Sequence, residues 1–128
     1  MPRILIVDDE ADVRSKVHSL LAKQSDWHIS EADNVKAAID GVRDVKPDVV
    51  LLDILMPSGN GLMAAYEIRQ LAPQTKVLFL TEKCGPDEAS AIARLLGSGE
   101  FVPKADVQTH LVPSINRLLK GAAETLPE

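Results

Sequence analysis

The chain has 128 residues, 45% of them hydrophobic and 26% charged, with a formal net charge of −5. This describes one domain with enough apolar content for a core, and its acidity argues against non-specific binding to nucleic acid or an anionic membrane. The single cysteine, Cys84, excludes a disulfide framework, no apolar run reaches the about 18 residues of a membrane span, and a cytoplasmic protein is expected, since no signal-peptide pattern opens the chain.

Strand and helix patterns alternate along the sequence. "RILIV" (3–7) is followed by Val13, Val17, Leu20 and Leu21 at helical spacing, and "WHIS" (27–30) by Val35, Ala38, Ile39 and Val42. "DVVLLD" (48–53) precedes Leu62, Ala65, Tyr66 and Arg69, and "KVLFL" (76–80) precedes Ala89, Ile92, Ala93 and Leu96. The weaker "EFVP" (100–103) leads into Val107, Leu111, Ile115 and Leu118, with Gly121 as the expected C-cap. Most of the strand candidates are continuously apolar, as parallel strands buried on both faces require. Five strand–helix repeats predict an α/β fold, a doubly wound (βα)5 domain with a five-stranded parallel sheet in the order 2-1-3-4-5. The domain is expected over residues 1–121, with "AAETLPE" (122–128) as a tail or the start of a linker. Pro113 falls inside the fifth helical pattern, where it removes one backbone bond to Thr109 and predicts a kink or a late start.

Doubly wound sheets build their sites at the carboxyl ends of the strands, beside the switch point. Strand 1 ends in Asp8 and Asp9, strand 3 in Asp53, strand 4 in Thr81, and strand 5 runs into Lys104. Two like charges about 4 Å apart cost about 4 kcal/mol at an effective dielectric of about 20, so the aspartates call for a cation. Three hard oxygen donors on adjacent loops suit Mg²⁺, and the lack of His or Cys at ligand spacing argues against zinc. Lys104 and Thr81 can hold the oxygens of a transferred phosphoryl group, and Asp53, central among them, can serve as nucleophile.

At these residues the sequence resembles the receiver domains of two-component response regulators, the CheY-like family, over essentially its whole length. "VDDE" (7–10), "LLDILMPSGNGL" (51–62), "LFLT" (78–81) and "FVPK" (101–104) fall in the family's order and spacing. The resemblance implies a flavodoxin-like topology and a phosphoacceptor that catalyses nothing on a separate substrate. It implies phosphorylation of Asp53 by a sensor histidine kinase, with Mg²⁺ bound by Asp9, by Asp8 mostly through water, by Asp53 and by the Leu55 carbonyl. Thr81 and Lys104 would contact phosphoryl oxygens, and Phe101 matches the aromatic switch whose ring turns inward once Thr81 moves. "KADVQTHLVPSINRLLKG" (104–121) is similar to the last helix of the NarL/FixJ subclass. Most members of that subclass precede a DNA-binding domain, so DNA contact belongs to a separate output domain. Partner binding or homodimerisation is expected through helix 4, strand 5 and helix 5.

Simpler roles exist for several of these residues. Asp8, Asp9 and Glu10 favour a helix amino terminus, Gly59 and Gly61 suit turns, and Phe101 can simply pack. Trp27, His18, His28 and His110 have no partners at useful spacing and read as packing or surface residues. A flavodoxin-type carrier would need a Ser/Thr/Gly-rich loop where "DDEAD" stands, and an aspartyl phosphatase would place its nucleophile on strand 1. The alternative that stands is a pseudo-receiver, an interaction module that is not phosphorylated. The intact set of Asp53, Thr81 and Lys104 disfavours it, whereas Glu82 keeps it open, because the family usually has Ala or Gly after the threonine; as a carboxylate at the site's mouth Glu82 should slow anionic donors. Ala105 follows the lysine where the family often has a proline in a cis bond; Pro103 precedes the lysine instead, as the end of an edge strand tolerates.

Overall fold

Ile4, Leu5, Ile6 and Val7 are all buried, and so is every residue of Val49–Asp53. Strands apolar on both sides need cover on both sides, and helices packed on either face of the sheet supply it. The computed structural model describes residues 2–56, 59–81 and 100–124. Within them β1 (Arg3–Val7), α1 (Ala11–Leu21), β2 (His28–Ala32), α2 (Val35–Val45) and β3 (Val49–Asp53) follow one another. Two short strands, β4 (Leu55–Met56) and β5 (Gly59–Asn60), then lead into α3 (Gly61–Leu71). β6 (Lys76–Thr81), β7 (Glu100–Pro103), a 3-10 turn (Lys104–Asp106) and the C-terminal helix (Val107–Glu124) complete the described elements.

The main sheet is parallel, in the order β2-β1-β3-β6-β7, which is 2-1-3-4-5 when its own five strands are counted. Alternate side chains divide the core into two layers. Leu5, Val7, Val50, Leu52 and Phe79 pack with Ala38 and Val42 of α2 and with Ala64, Ala65 and Ile68 of α3. Ile4, Ile6, Leu51, Leu78, Leu80 and Val102 pack with Val17 and Leu21 of α1 and with Leu111 and Ile115 of the C-terminal helix. The doubly wound fold expected from the sequence is therefore present. The fourth helical pattern (89–96), together with Glu82 and Cys84, lies outside the described residues.

Several boundaries differ from the expected ones. Trp27 precedes β2 and is half-buried against the α1 layer, while the strand itself continues to Ala32. β6 includes Thr81, paired with Pro103 at the end of the edge strand β7. The C-terminal helix runs to Glu124, so Gly121 does not cap it. It starts at Val107 as patterned, so Pro113 causes no late start and sits inside the helix. The 3-10 turn at Lys104–Asp106 makes the change of direction from strand to helix. The β4–β5 hairpin, pairing Leu55 with Asn60 and Met56 with Gly59, was not legible, because two-residue strands have no apolar period to detect.

Two helix ends show local chemistry at work. Asn34 is the N-cap of α2, its side-chain oxygen accepting the Ala37 amide at 2.8 Å. At the other end Lys46 donates its amide to the Val42 carbonyl and takes φ 54°, the left-handed conformation with which the chain leaves the helix.

Candidate functional site

β1 leaves the sheet at Val7, and the next residue still donates its amide to the Ala32 carbonyl of β2, at 3.2 Å. That bond keeps Asp8 on the rim with its carboxylate turned inward, fully buried. Oδ1 accepts the Glu10 amide at 2.9 Å. Oδ2 receives no well-formed hydrogen bond; its charge partner is Lys104 Nζ at 3.0 Å. A buried carboxylate oxygen with only an ion-pair contact is an acceptor still seeking a ligand.

Asp53 ends β3, next to β1 in the sheet, and is 3% exposed. Lys104 Nζ donates to its Oδ2 at 3.3 Å and lies 3.2 Å from Glu10 Oε1. One ammonium thus sits among three carboxylates contributed by the residue after β1, the end of β3 and the turn into α1. Burial by itself would lower the lysine's affinity for its proton. The contact with Asp8, the charges of Asp53 and Asp8 and the contact with Glu10 more than reverse this, so Lys104 is held above the ordinary amine range and stays cationic.

Asp9 is half-buried beside them, and one carboxylate oxygen from each of Asp8, Asp9 and Asp53 lies within 4.8 Å of the others. All three donors are hard oxygens, and Asp8 Oδ2, beside them, has no hydrogen-bond donor of its own. The residues present therefore fit a small divalent cation such as Mg²⁺, which prefers oxygen ligands and keeps some of its waters.

The neighbouring elements frame this cluster. Asp53 pairs with Leu80 in β6, and Thr81 ends that strand one position further on. Ile54 donates its amide to the Leu80 carbonyl at 3.4 Å, and Leu55 then opens the β4–β5 hairpin. Gly61 closes the hairpin, donating to the Ile54 carbonyl at 3.2 Å. A Cβ added at Gly61 would lie 2.4 Å from the Asp53 carbonyl oxygen and 2.6 Å from that of Ile54, so the loop carrying Asp53 requires glycine there. Phe101 is half-buried on β7, stacked on the fully buried Phe79 with ring centroids 5.3 Å apart and planes at 22°.

A model of the response regulator receiver domain family matches residues 4–116, nearly the whole chain. The chain belongs to the response regulator receiver domain family. Its relatives in sequence include the chemotaxis protein CheY of Thermotoga maritima, 30% identical over 118 residues, which are 92% of this chain and 98% of that one. The response regulator protein VraR of Staphylococcus epidermidis is 31% identical over 129 residues, which cover 98% of this chain and 60% of that one. Among solved structures, a LuxR-family two-component response regulator from Aurantimonas superposes with a TM-score of 0.84 at 28% identity, over 93% of this chain and 85% of that one. A CheY-like receiver domain from Methanospirillum hungatei gives 0.88 at 19% identity over 98% of both chains, which bears on the fold alone.

Asp8, Asp9, Asp53 and Lys104, singled out in the sequence, meet at one place in this receiver domain, and Thr81, Leu55 and Phe101 lie on the strands and hairpin around it. Sequence reasoning did not assign Glu10 to the lysine, and it missed Arg14 and the tight packing of Gly61. Arg14 Nη1 donates to the Asp8 carbonyl at 2.7 Å, and its Nε to Glu31 Oε1 at 3.1 Å. An arginine one helical turn beyond Glu10, the last residue of an acidic run, was the available signal. His18, read as having no partner, lies with Nδ1 2.6 Å from Glu31 Oε2, because β2 runs beside α1.

Proposed function

We propose that this domain is the phosphoacceptor of a two-component system, and that Asp53 receives the phosphoryl group from a sensor histidine kinase. The observation that carries the proposal is the meeting of Asp8, Asp9 and Asp53 with a half-buried, cationic Lys104. In the transfer a bond forms between an Asp53 carboxylate oxygen and phosphorus while the phosphorus–nitrogen bond to the donor histidine breaks. The imidazole leaves with the electron pair. Lys104, already 3.3 Å from Asp53 Oδ2, is within reach of an oxygen of the group once it is attached, and Thr81 at the end of β6 would hold another. Asp9, Asp8 (mostly through water), Asp53 and the Leu55 carbonyl would hold Mg²⁺, which when bound neutralises the carboxylates and draws charge from the phosphoryl oxygens.

The readout proposed is a change of surface. Thr81 drawn toward the phosphoryl group would vacate space for Phe101 and alter the face made by β7 and the C-terminal helix; the helix-4 part of that face lies outside the described residues. That face is proposed for a partner or a second copy, with any DNA contact made by a separate output domain. The receiver is proposed to occupy residues 1–121 and to act in the cytoplasm; among the described residues no helix is long and apolar enough to cross a membrane.

The test is intact-mass analysis after incubation with acetyl phosphate and Mg²⁺. The wild type should gain one phosphoryl group, Asp53→Asn none, and Asp9→Ala should lose the metal dependence. Labelling of Asp53→Asn at the wild-type rate refutes the assignment, and an unlabelled wild type leaves the pseudo-receiver.

A further inference from the structure

We infer that Arg14 is a positioning residue for the metal site, setting the direction of Asp8 and Asp9 through the backbone carbonyl between them; this rests on the function proposed above. The carbonyl of Asp8 lies just past the end of β1, on a buried residue, where the ladder no longer supplies a donor. A buried carbonyl without a partner is costly, and its orientation fixes the peptide plane that carries the Asp9 amide. Arg14 Nη1 meets it at 2.7 Å, a short charge-assisted bond from a side chain only 18% exposed.

The arginine is itself anchored. Its Nε donates to Glu31 Oε1 at 3.1 Å, and the other oxygen of that carboxylate lies 2.6 Å from His18 Nδ1. Glu31 stands on β2 beside Ala32, whose carbonyl accepts the Asp8 amide. Both ends of the Asp8 backbone unit are therefore tied to adjacent residues of β2: the amide to Ala32 directly, the carbonyl to Glu31 through the guanidinium. A side chain that touches neither cation nor phosphoryl group in this way orients two ligands at once, as outer contacts of metal sites do.

Charge and geometry predict opposite outcomes, which makes the inference testable. If Arg14 acted only as a nearby positive charge, its removal would tighten binding of a cation. If it positions the aspartates, removal weakens binding, by about tenfold on the scale seen for outer contacts of metal ligands. The experiment is a Mg²⁺ titration of wild type, Arg14→Met, Glu31→Ala and Glu31→Gln, followed by amide chemical shifts of residues 8–10, with thermal melts in parallel. Arg14→Met should bind about tenfold more weakly, and Glu31→Gln, which keeps an acceptor for Nε, should recover affinity that Glu31→Ala loses. Equal or tighter binding by Arg14→Met overturns the positioning role. Should Arg14→Met not fold, the Glu31 pair decides, and equal affinities for Ala and Gln overturn it. A wild type that binds no Mg²⁺ overturns the proposed function and this inference with it, whereas loss confined to the variants leaves the function standing.

Discussion

Replacing Lys104 by Met keeps the length and much of the apolar stem but removes the ammonium from among Asp8, Glu10 and Asp53. The three oxygens lie 3.0, 3.2 and 3.3 Å from Nζ. At an effective dielectric of about 20 each such pair is worth about 5 kcal/mol before desolvation is counted. The Glu10 side chain is 54% exposed, so that pair contributes at most about 1 kcal/mol. The Asp8 and Asp53 side chains are 0% and 4% exposed, and stranding two buried carboxylates should cost about 3–5 kcal/mol net. In metal-free buffer the melting temperature should fall by roughly 10–20 °C. Mg²⁺ should then stabilise the variant more than the wild type, because the carboxylates it meets have lost their resident cation. A cation at about 100 times its Kd adds about 2.7 kcal/mol. The pH dependence has a definite sign. The lysine's raised pKa means that its contribution is fully present below the ordinary value of 10.5 and is lost only as pH rises through the folded-state value. The gap between wild type and variant should thus not depend on Lys104 titration at neutral pH and should close at strongly alkaline pH. Urea denaturation with EDTA and with Mg²⁺ measures both terms. A loss below about 1 kcal/mol without metal, or equal Mg²⁺ stabilisation of the two proteins, would refute the buried-cluster reasoning.

Gly61→Ala should cost about 1–3 kcal/mol and displace the loop after β3, since the new methyl meets two backbone oxygens that cannot rotate away; denaturation and the Asp53 amide shift report it, and a neutral variant refutes it. Pro113→Ala should add a bond to the Thr109 carbonyl inside the C-terminal helix and stabilise the domain by about 1–3 kcal/mol, measured by denaturation. No gain there would show that the proline costs the native helix nothing.

The sequence by itself determined the architecture, because strands covered on both faces leave a trace that needs no knowledge of contacts. "RILIV" and "DVVLLD" are apolar at consecutive positions, and the helices between them carry an apolar stripe of period 3.6. It also determined which residues stand at the strand ends, since topology alone brings Asp8, Asp53, Thr81 and Lys104 to one rim. What it left undecided depended on separations of ångströms between residues far apart in the chain. Gly61 looked like an ordinary turn glycine until the hairpin folded it against the Asp53 backbone. His18 looked unpartnered, and Arg14 was passed over, because Glu31 is brought to them only when β2 docks beside β1 and α1 crosses over it. Gly121 looked like a cap, yet its strong local preference for ending a helix is outweighed when the helix continues to Glu124. Local propensity and period are written residue by residue, whereas the partner of a buried charge exists only once the sheet has formed.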